Sequence, residues 1–207
     1  EGALSGALTR TPGEDVGQYA ITQGTLGNPN YALSFVPGSL DITPRPLSLA
    51  ALGATKIFGD ADPALGFAVT AGSLAALPGG ALNGALTRAP GQTVGTYAIT
   101  QGTLGNPNYT IDFTPAALDV VPRALGIAAA STSKRYGDPD PLFGVVVTSG
   151  SLAAIPEGAL SGALERAPGE AVGSYALTRG TLDNPNYVLA FTPGSFDIVP
   201  RPLRVQA

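Results

Sequence analysis

The chain has 207 residues, 44% hydrophobic and only 13% charged, with a net charge of −4 and no Cys, His, Met or Trp. That composition excludes a disulfide framework, a thiolate metal site and any catalytic dyad built on Cys or His. The thinly spread acidic balance leaves no basic patch for a phosphate backbone, which argues against nucleic acid as a partner, and no apolar run approaches the ~18 residues of a membrane span.

Read in chain order, the predicted elements are short strands separated by Gly- and Pro-bearing turns. Tyr31, Leu33 and Phe35 alternate with polar or small neighbours, the period of a half-buried strand. Asp41 follows on an outward position, and Pro44-Arg45 leads at once into Leu47/Leu49. Phe67/Val69 read as a further strand. Ser73 to Leu77 is the best helix candidate, of a turn or two at most. Ala-Pro-Gly at 89–91 and Asn-Pro-Asn at 106–108 are turn signals. Between and after them lie the alternating pairs Tyr97/Ile99, Tyr109/Ile111/Phe113 and Leu118/Val120, and Pro122-Arg123 starts the series again.

The series repeats with a period of 78 residues and no insertion or deletion. Asn28-Pro29-Asn30-Tyr31 returns at 106–109 and 184–187, and Tyr19 returns as Tyr97 and Tyr175. Residues 1–44 match 79–122 at 30 of 44 positions. A fixed period that long marks a domain array. The organisation expected is the back part of a unit at 1–44, full units at 45–122 and 123–200, and the opening of another at 201–207. Both ends then fall inside a repeat, so the chain reads as a window on a longer array. Each unit carries six or seven short strands, which predicts an all-β fold, a small β-sandwich, with a β-grasp-like unit as the alternative. Joints made of Pro44, Pro122 and Pro200, each followed by Arg, contain no flexible Gly/Ser linker. The arginines Arg45, Arg123 and Arg201 sit at these joints, where pairing with a carboxylate of the neighbouring unit and simple solvation are equal readings.

Candidate sites are few. Asp60 with Asp62, and Asp138 with Asp140, form Asp-x-Asp turns beside Gly. They are the only calcium candidates, but each turn offers two carboxylates where Ca²⁺ takes about six to eight oxygens. A structural turn in which the carboxylates bond nearby backbone is the stronger reading. Lys56 and Lys134 are the only lysines, one per full unit. They read as edge-strand residues that discourage sheet-to-sheet pairing, ahead of a role in an isopeptide bond. The Asn-Pro-Asn segments read as Asx turns, and a sugar site built from exposed Asn and Tyr is the weaker alternative. No catalytic residue and no cofactor emerges.

The segments Lys56-Ile57-Phe58-Gly59-Asp60-Ala61-Asp62-Pro63 and Lys134-Arg135-Tyr136-Gly137-Asp138-Pro139-Asp140-Pro141 resemble the opening motif of the MBG repeat domain. Leu82 to Arg88, the Gly95-Thr96-Tyr97-Ala98-Ile99 strand and the closing Asn-Tyr strand carry the same resemblance, so it covers the whole chain. Phe58 departs from the Tyr found at Tyr136. Val94 to Ile99 also resembles the tyrosine-bearing strand of immunoglobulin-like domains. The MBG resemblance implies tandem domains of bacterial surface or secreted proteins, including filamentous-haemagglutinin-like adhesins, and brings no catalytic residue. It implies an extracellular stalk or adhesive fibre. The short Pro-Arg joints predict a semi-rigid rod, and the high apolar content favours burial between chains, so the expected role is stalk, biofilm-matrix component or self-associating filament, with neighbouring repeats and further copies of the chain as partners. The alternative is a multivalent binding module in which each repeat recognises a glycan, host or matrix ligand.

Overall fold

The computed structural model describes residues 2–206. Residues 1–44 contribute β1 (Thr9–Arg10), β2 (Gly17–Thr22) and β3 (Gly38–Ile42). The 45–122 repeat supplies β4 (Arg45–Ala51), β5 (Ala54–Ile57), β6 (Phe67–Ala71), β7 (Thr87–Arg88), β8 (Gly95–Thr100), β9 (Tyr109–Thr114) and β10 (Ala116–Val121). Their counterparts in the 123–200 repeat are β11 (Arg123–Ala129), β12 (Thr132–Arg135), β13 (Val145–Ser149), β14 (Glu165–Arg166), β15 (Gly173–Thr178), β16 (Tyr187–Thr192) and β17 (Gly194–Val199). The fold is all-β, as the alternation predicts.

The helix expected at Ser73–Leu77 is not formed. The Ala75 N–H donates to the Tyr109 hydroxyl, which in turn donates to the Gly80 carbonyl. These backbone groups are satisfied by a side chain, so no helical ladder is needed. In the next repeat the only helical piece among the described residues is a single 3₁₀ turn, Pro156–Gly158. The strand expected at Tyr31 to Phe35 is absent as well. Its counterparts β9 and β16 exist because they pair in parallel with β4 and β11, and among the described residues no such partner lies beside 31–35.

The 123–200 repeat is two sheets. A three-stranded sheet has the order β13-β11-β16, and a four-stranded sheet the order β12-β17-β15-β14. Two adjacent strands run through both: β11 is parallel to β16, and, after a two-residue and a one-residue break, β12 is parallel to β17. The outer pairs β11/β13, β15/β17 and β14/β15 are antiparallel. Leu177, Phe196, Ile198 and Ala129 fill one core cluster, with Phe143 edge-on to Phe196 at 5.3 Å. Leu164 and Phe191 pack against both this cluster and a second one.

Contacts divide the chain into two compact units that do not follow the sequence period. One comprises the chain up to Gly53, Leu65–Ala89 and Ala98–Ala117; the other comprises Ala54–Ala64, Pro90–Tyr97 and everything from Leu118. Within this latter unit, Phe58, Val120, Leu125, Ile127, Leu182 and Tyr187 form a single core, with Val94 and Tyr97 packed on it. The hydrophobic core therefore runs straight across the Pro122 joint.

One tyrosine recurs in the same local arrangement three times. Tyr19, Tyr97 and Tyr175 donate their hydroxyls to the carbonyls of Asp15, Thr93 and Ala171, four residues upstream. This is the tyrosine-corner geometry of β-sandwiches. Gly13, Gly91 and Gly169 lie under these rings with φ of 146°, 135° and 137°, where a Cβ would run into the ring.

Candidate functional site

The lysine-bearing strands β5 and β12 each end in a turn closed by Asp60 N–H to Ile57 C=O at 3.1 Å and Asp138 N–H to Arg135 C=O at 3.0 Å. Gly59 and Gly137, both at φ 84°, permit that turn. The lysines do sit on outer strands, but their ammonium groups face inward and are buried. Lys134 Nζ donates to Asp140 Oδ1 and to Glu170 Oε2, each at 2.6 Å. Arg166 Nε donates to Asp140 Oδ2 at 2.6 Å, and Arg166 also pairs with Glu170. Two cations and two carboxylates thus close a ring. The Arg166 guanidinium is also stacked near Phe196 and Tyr175, at 5.4 and 5.6 Å from their ring centres. In the preceding repeat Lys56 Nζ donates to Asp62 Oδ1 at 2.6 Å, to Gln92 Oε1 at 2.7 Å and to the Asp60 carbonyl at 3.2 Å.

The ring shifts its members' titrations. The hydrogen bond from Lys134 holds both Asp140 and Glu170 below their ordinary values of 3.8 and 4.5, with Arg166 adding to the effect. The same bonds, Asp140 first, raise Lys134 above 10.5. Lowered carboxyls contribute stability above their unfolded values and lose it as pH falls through the lowered ones. The raised lysine contributes below 10.5 and loses its share as pH rises through the raised value. This repeat is expected to be most stable between about 4.5 and 10.5. Replacing Glu170→Gln, which reproduces the residue at Gln92, should lower stability at neutral pH and flatten the acid limb. Thermal midpoints measured from pH 2 to 7 test this: an acid slope identical to the parent's would refute the ring's contribution.

A second set of polar groups straddles the joint. Arg123 Nε donates to the Phe58 carbonyl at 2.7 Å, and its guanidinium pairs with Asp60. Arg201 binds the Tyr136 carbonyl at 2.8 Å and pairs with Asp138 in the same way. The Asn186 carbonyl accepts the Arg123 N–H at 3.0 Å, while its side-chain Oδ1 accepts the N–H of Val94, 92 residues away, at 2.9 Å. Asn108 repeats both bonds, to Arg45 N–H and to Val16 N–H, at 2.9 and 2.7 Å.

The MBG domain of the YGX type matches residues 1–41, 47–119 and 125–197. The chain belongs to this family. No curated protein and no solved structure matches it. The family is one of structural repeats, and its aromatic–Gly–Asp triplet, Phe58-Gly59-Asp60 or Tyr136-Gly137-Asp138, lies at the centre of the two networks above.

In these MBG repeats the four calcium candidates are divided between the two networks. Asp62 and Asp140 face the buried lysines, whereas Asp60 and Asp138 reach the joint arginines. Among the described residues no three acidic, His or Cys side chains gather as a metal-holding group. Calcium would have to displace these cations. The expected result is an unchanged thermal midpoint on adding calcium or a chelator. A calcium site filled at a hundredfold excess over its Kd would instead stabilise by about 2.7 kcal/mol, a readily measured rise.

The same charge arrangement opposes an isopeptide bond, because amide formation needs a neutral amine and a neutral carboxyl. Lys134 and Asp140 are each shifted toward the charged form. The Asx turns form as predicted, Asn106 Oδ1 accepting Asn108 N–H and Asn184 Oδ1 accepting Asn186 N–H. Tyr109 and Tyr187 are buried, their hydroxyls bound to backbone, which removes them as sugar-stacking surfaces. The cross-joint bonds of Asn108 and Asn186 had no sequence signal beyond the recurrence of Asn-Pro-Asn itself.

No helix among the described residues is long and apolar enough to cross a membrane.

Proposed function

We propose that this chain is a load-bearing stretch of a bacterial extracellular adhesin or fibre, in which tandem MBG repeats act as a semi-rigid rod. The observation that carries the reading is the joint: the last strand of one repeat and the first of the next are separated only by Pro122, and one core with Phe58 at its centre spans them. A shared core, two arginine bonds and the Asn186 clamp oppose bending where a Gly/Ser linker would permit it. MBG repeats occur in tandem in surface and secreted proteins, which supports the extracellular assignment. Small-angle scattering on chains of increasing repeat number tests it. The maximum dimension should rise linearly with repeat number, and growth as roughly the square root of chain length would refute the rod.

Side-by-side assembly into fibres is the second element of the reading. It is supported by β13, an outer strand whose Val145, Val146 and Val147 are exposed and whose five residues carry no charge or proline. Fibres seen by electron microscopy should be lost in Val146→Lys; fibres unaffected by that change would remove β13 from the assembly.

A further inference from the structure

Tension along the chain reaches the 123–200 repeat through two strands only. β11 follows Pro122 directly and β17 runs straight into Pro200, so load enters at Arg123 and leaves at Val199. The whole of this repeat lies within one compact unit. β11 pairs in parallel with β16 from Arg123↔Tyr187 to Ala128↔Thr192, and β12 with β17 from Thr132↔Phe196 to Arg135↔Val199. Tyr187 is 64 positions from Arg123 and Val199 is 64 from Arg135, so the register is kept across the gap between the two runs. At that gap the Ser195 N–H donates to the Ser131 hydroxyl at 3.0 Å, a side-chain bond that continues the ladder. Segments 123–135 and 187–199 thus lie side by side, with the entry at one end of the pair and the exit at the other. The preceding repeat pairs β4 with β9 and β5 with β10 at the same offset of 64.

That placement decides how load acts. Pulling Arg123 and Val199 apart slides one segment along the other, across the ladder bonds, so all of them are loaded at once. The bonds of a parallel pair are evenly spaced, which shares the load along its length. A pair whose loaded ends lay together would open from that end, one bond at a time. Packing opposes slip as well. A one-residue slip turns every side chain to the opposite face, which would expel Leu125, Ile127, Tyr187, Phe196 and Ile198 from the core. A two-residue slip keeps the faces but displaces each of these side chains by about 6–7 Å. The buried ammonium of Lys134 on β12, held by Asp140 and Glu170, resists the same movement.

We infer that the first two strands of this repeat and its last two form a shear clamp, which holds the repeat closed under tension and keeps load off the chain between them. The inference deepens the tensile reading above and rests on it, since a clamp acts only where the array is pulled lengthwise. Residues 136–186, which hold β13, β14 and β15, stay outside the load path while the clamp stands. Val121 ends the corresponding strands of the preceding repeat and Arg123 begins this clamp, with Pro122 alone between them. No unclamped linker is left to stretch first.

The absence of cysteine allows force to be applied at chosen points of the 207-residue chain through introduced thiols. Two double variants share the exit handle Val199→Cys and differ in the entry handle. Ala124→Cys loads the pair from opposite ends, and Arg135→Cys loads it from the end shared with Val199. All three positions are exposed, so equal thermal midpoints are expected for the two variants. In single-molecule pulling at one loading rate, the first should rupture in one step at a force at least about twofold that of the second, because its ladder bonds are loaded together and not in turn. That step should release roughly 210–235 Å, taking the chain from 124 to 199 at ~3.3–3.6 Å per residue less the ~36 Å that the folded pair already spans. Equal forces in the two directions, lengthening of the first variant in many small steps, or a force ratio that follows a difference in midpoint overturns the clamp. Failure of the rod would show separately, because scattering reports whether the joints bend whereas both pulls lie within one repeat.

Discussion

Phe58→Ala is expected to destabilise the unit that contains it by about 3–5 kcal/mol, the usual cost of truncating a fully buried aromatic. Phe58 has no exposed surface and sits edge-on to Tyr187 within a core drawn from both sides of Pro122. The loss therefore removes the contact that ties Val94 and Val120 to Leu125 and Ile127. At roughly 3–4 °C per kcal/mol for a body of this size, the thermal midpoint should fall by about 10–20 °C. The matched control is Tyr136→Ala. Tyr136 occupies the same place in the motif one period later, yet is 52% exposed. Its truncation should cost within about 0.5–1 kcal/mol, like most exposed substitutions. Scanning calorimetry of the two variants decides the matter. Equal, small shifts would mean that the core does not span the joint, and the rod reading would lose its support.

The alternation of Tyr109, Ile111 and Phe113 and of Leu118 and Val120 is enough to read β9, β10 and their copies from sequence, because side chains on a half-buried strand obey a period of two. The parallel pairing of β4 with β9 and of β5 with β10 is not legible. Which strands become neighbours depends on contacts some 60 residues apart, and alternation is the same for parallel and antiparallel partners. The Asp-x-Asp turns are located correctly, but their chemistry is decided by residues far along the chain. Asp60 is answered by Arg123, and Asp140 by Arg166 as well as by the lysine at the start of its own turn. Lys56 and Lys134 illustrate the same point, since an outer strand by itself predicts an exposed ammonium. Only the acceptors Asp62 and Gln92, or Asp140 and Glu170, explain why each is turned inward. The sequence period, finally, records duplication, whereas packing follows the apolar faces that meet across Pro122.

Asn186→Ala is expected to cost about 1–3 kcal/mol, the usual range for one desolvated backbone donor, here the Val94 N–H, left without its partner. Asn186 is buried, and its side-chain oxygen accepts the Val94 N–H at the point where the preceding repeat meets the next. Its amide also reaches the Glu157 carbonyl at 3.4 Å, a longer and weaker bond. The backbone bond from Arg123 N–H to the Asn186 carbonyl survives the substitution, so the strand register at the joint should persist while the clamp on Val94 is lost. Asn30→Ala is the control, because Asn30 occupies the same position in the motif but is exposed, with its backbone N–H held in its own Asx turn. Hydrogen exchange separates a local from a global effect. In Asn186→Ala the amides of Val94 and its neighbours up to Tyr97 should exchange faster, by a factor exceeding that of β15 and β17. Uniform acceleration across the 123–200 repeat would instead assign Asn186 to ordinary core stability, and unchanged protection at Val94 would remove it from the joint altogether. If the local pattern holds, a clamp between residues 92 positions apart makes neighbouring repeats unfold as coupled bodies. A tensile element needs that property and a string of independent beads lacks it.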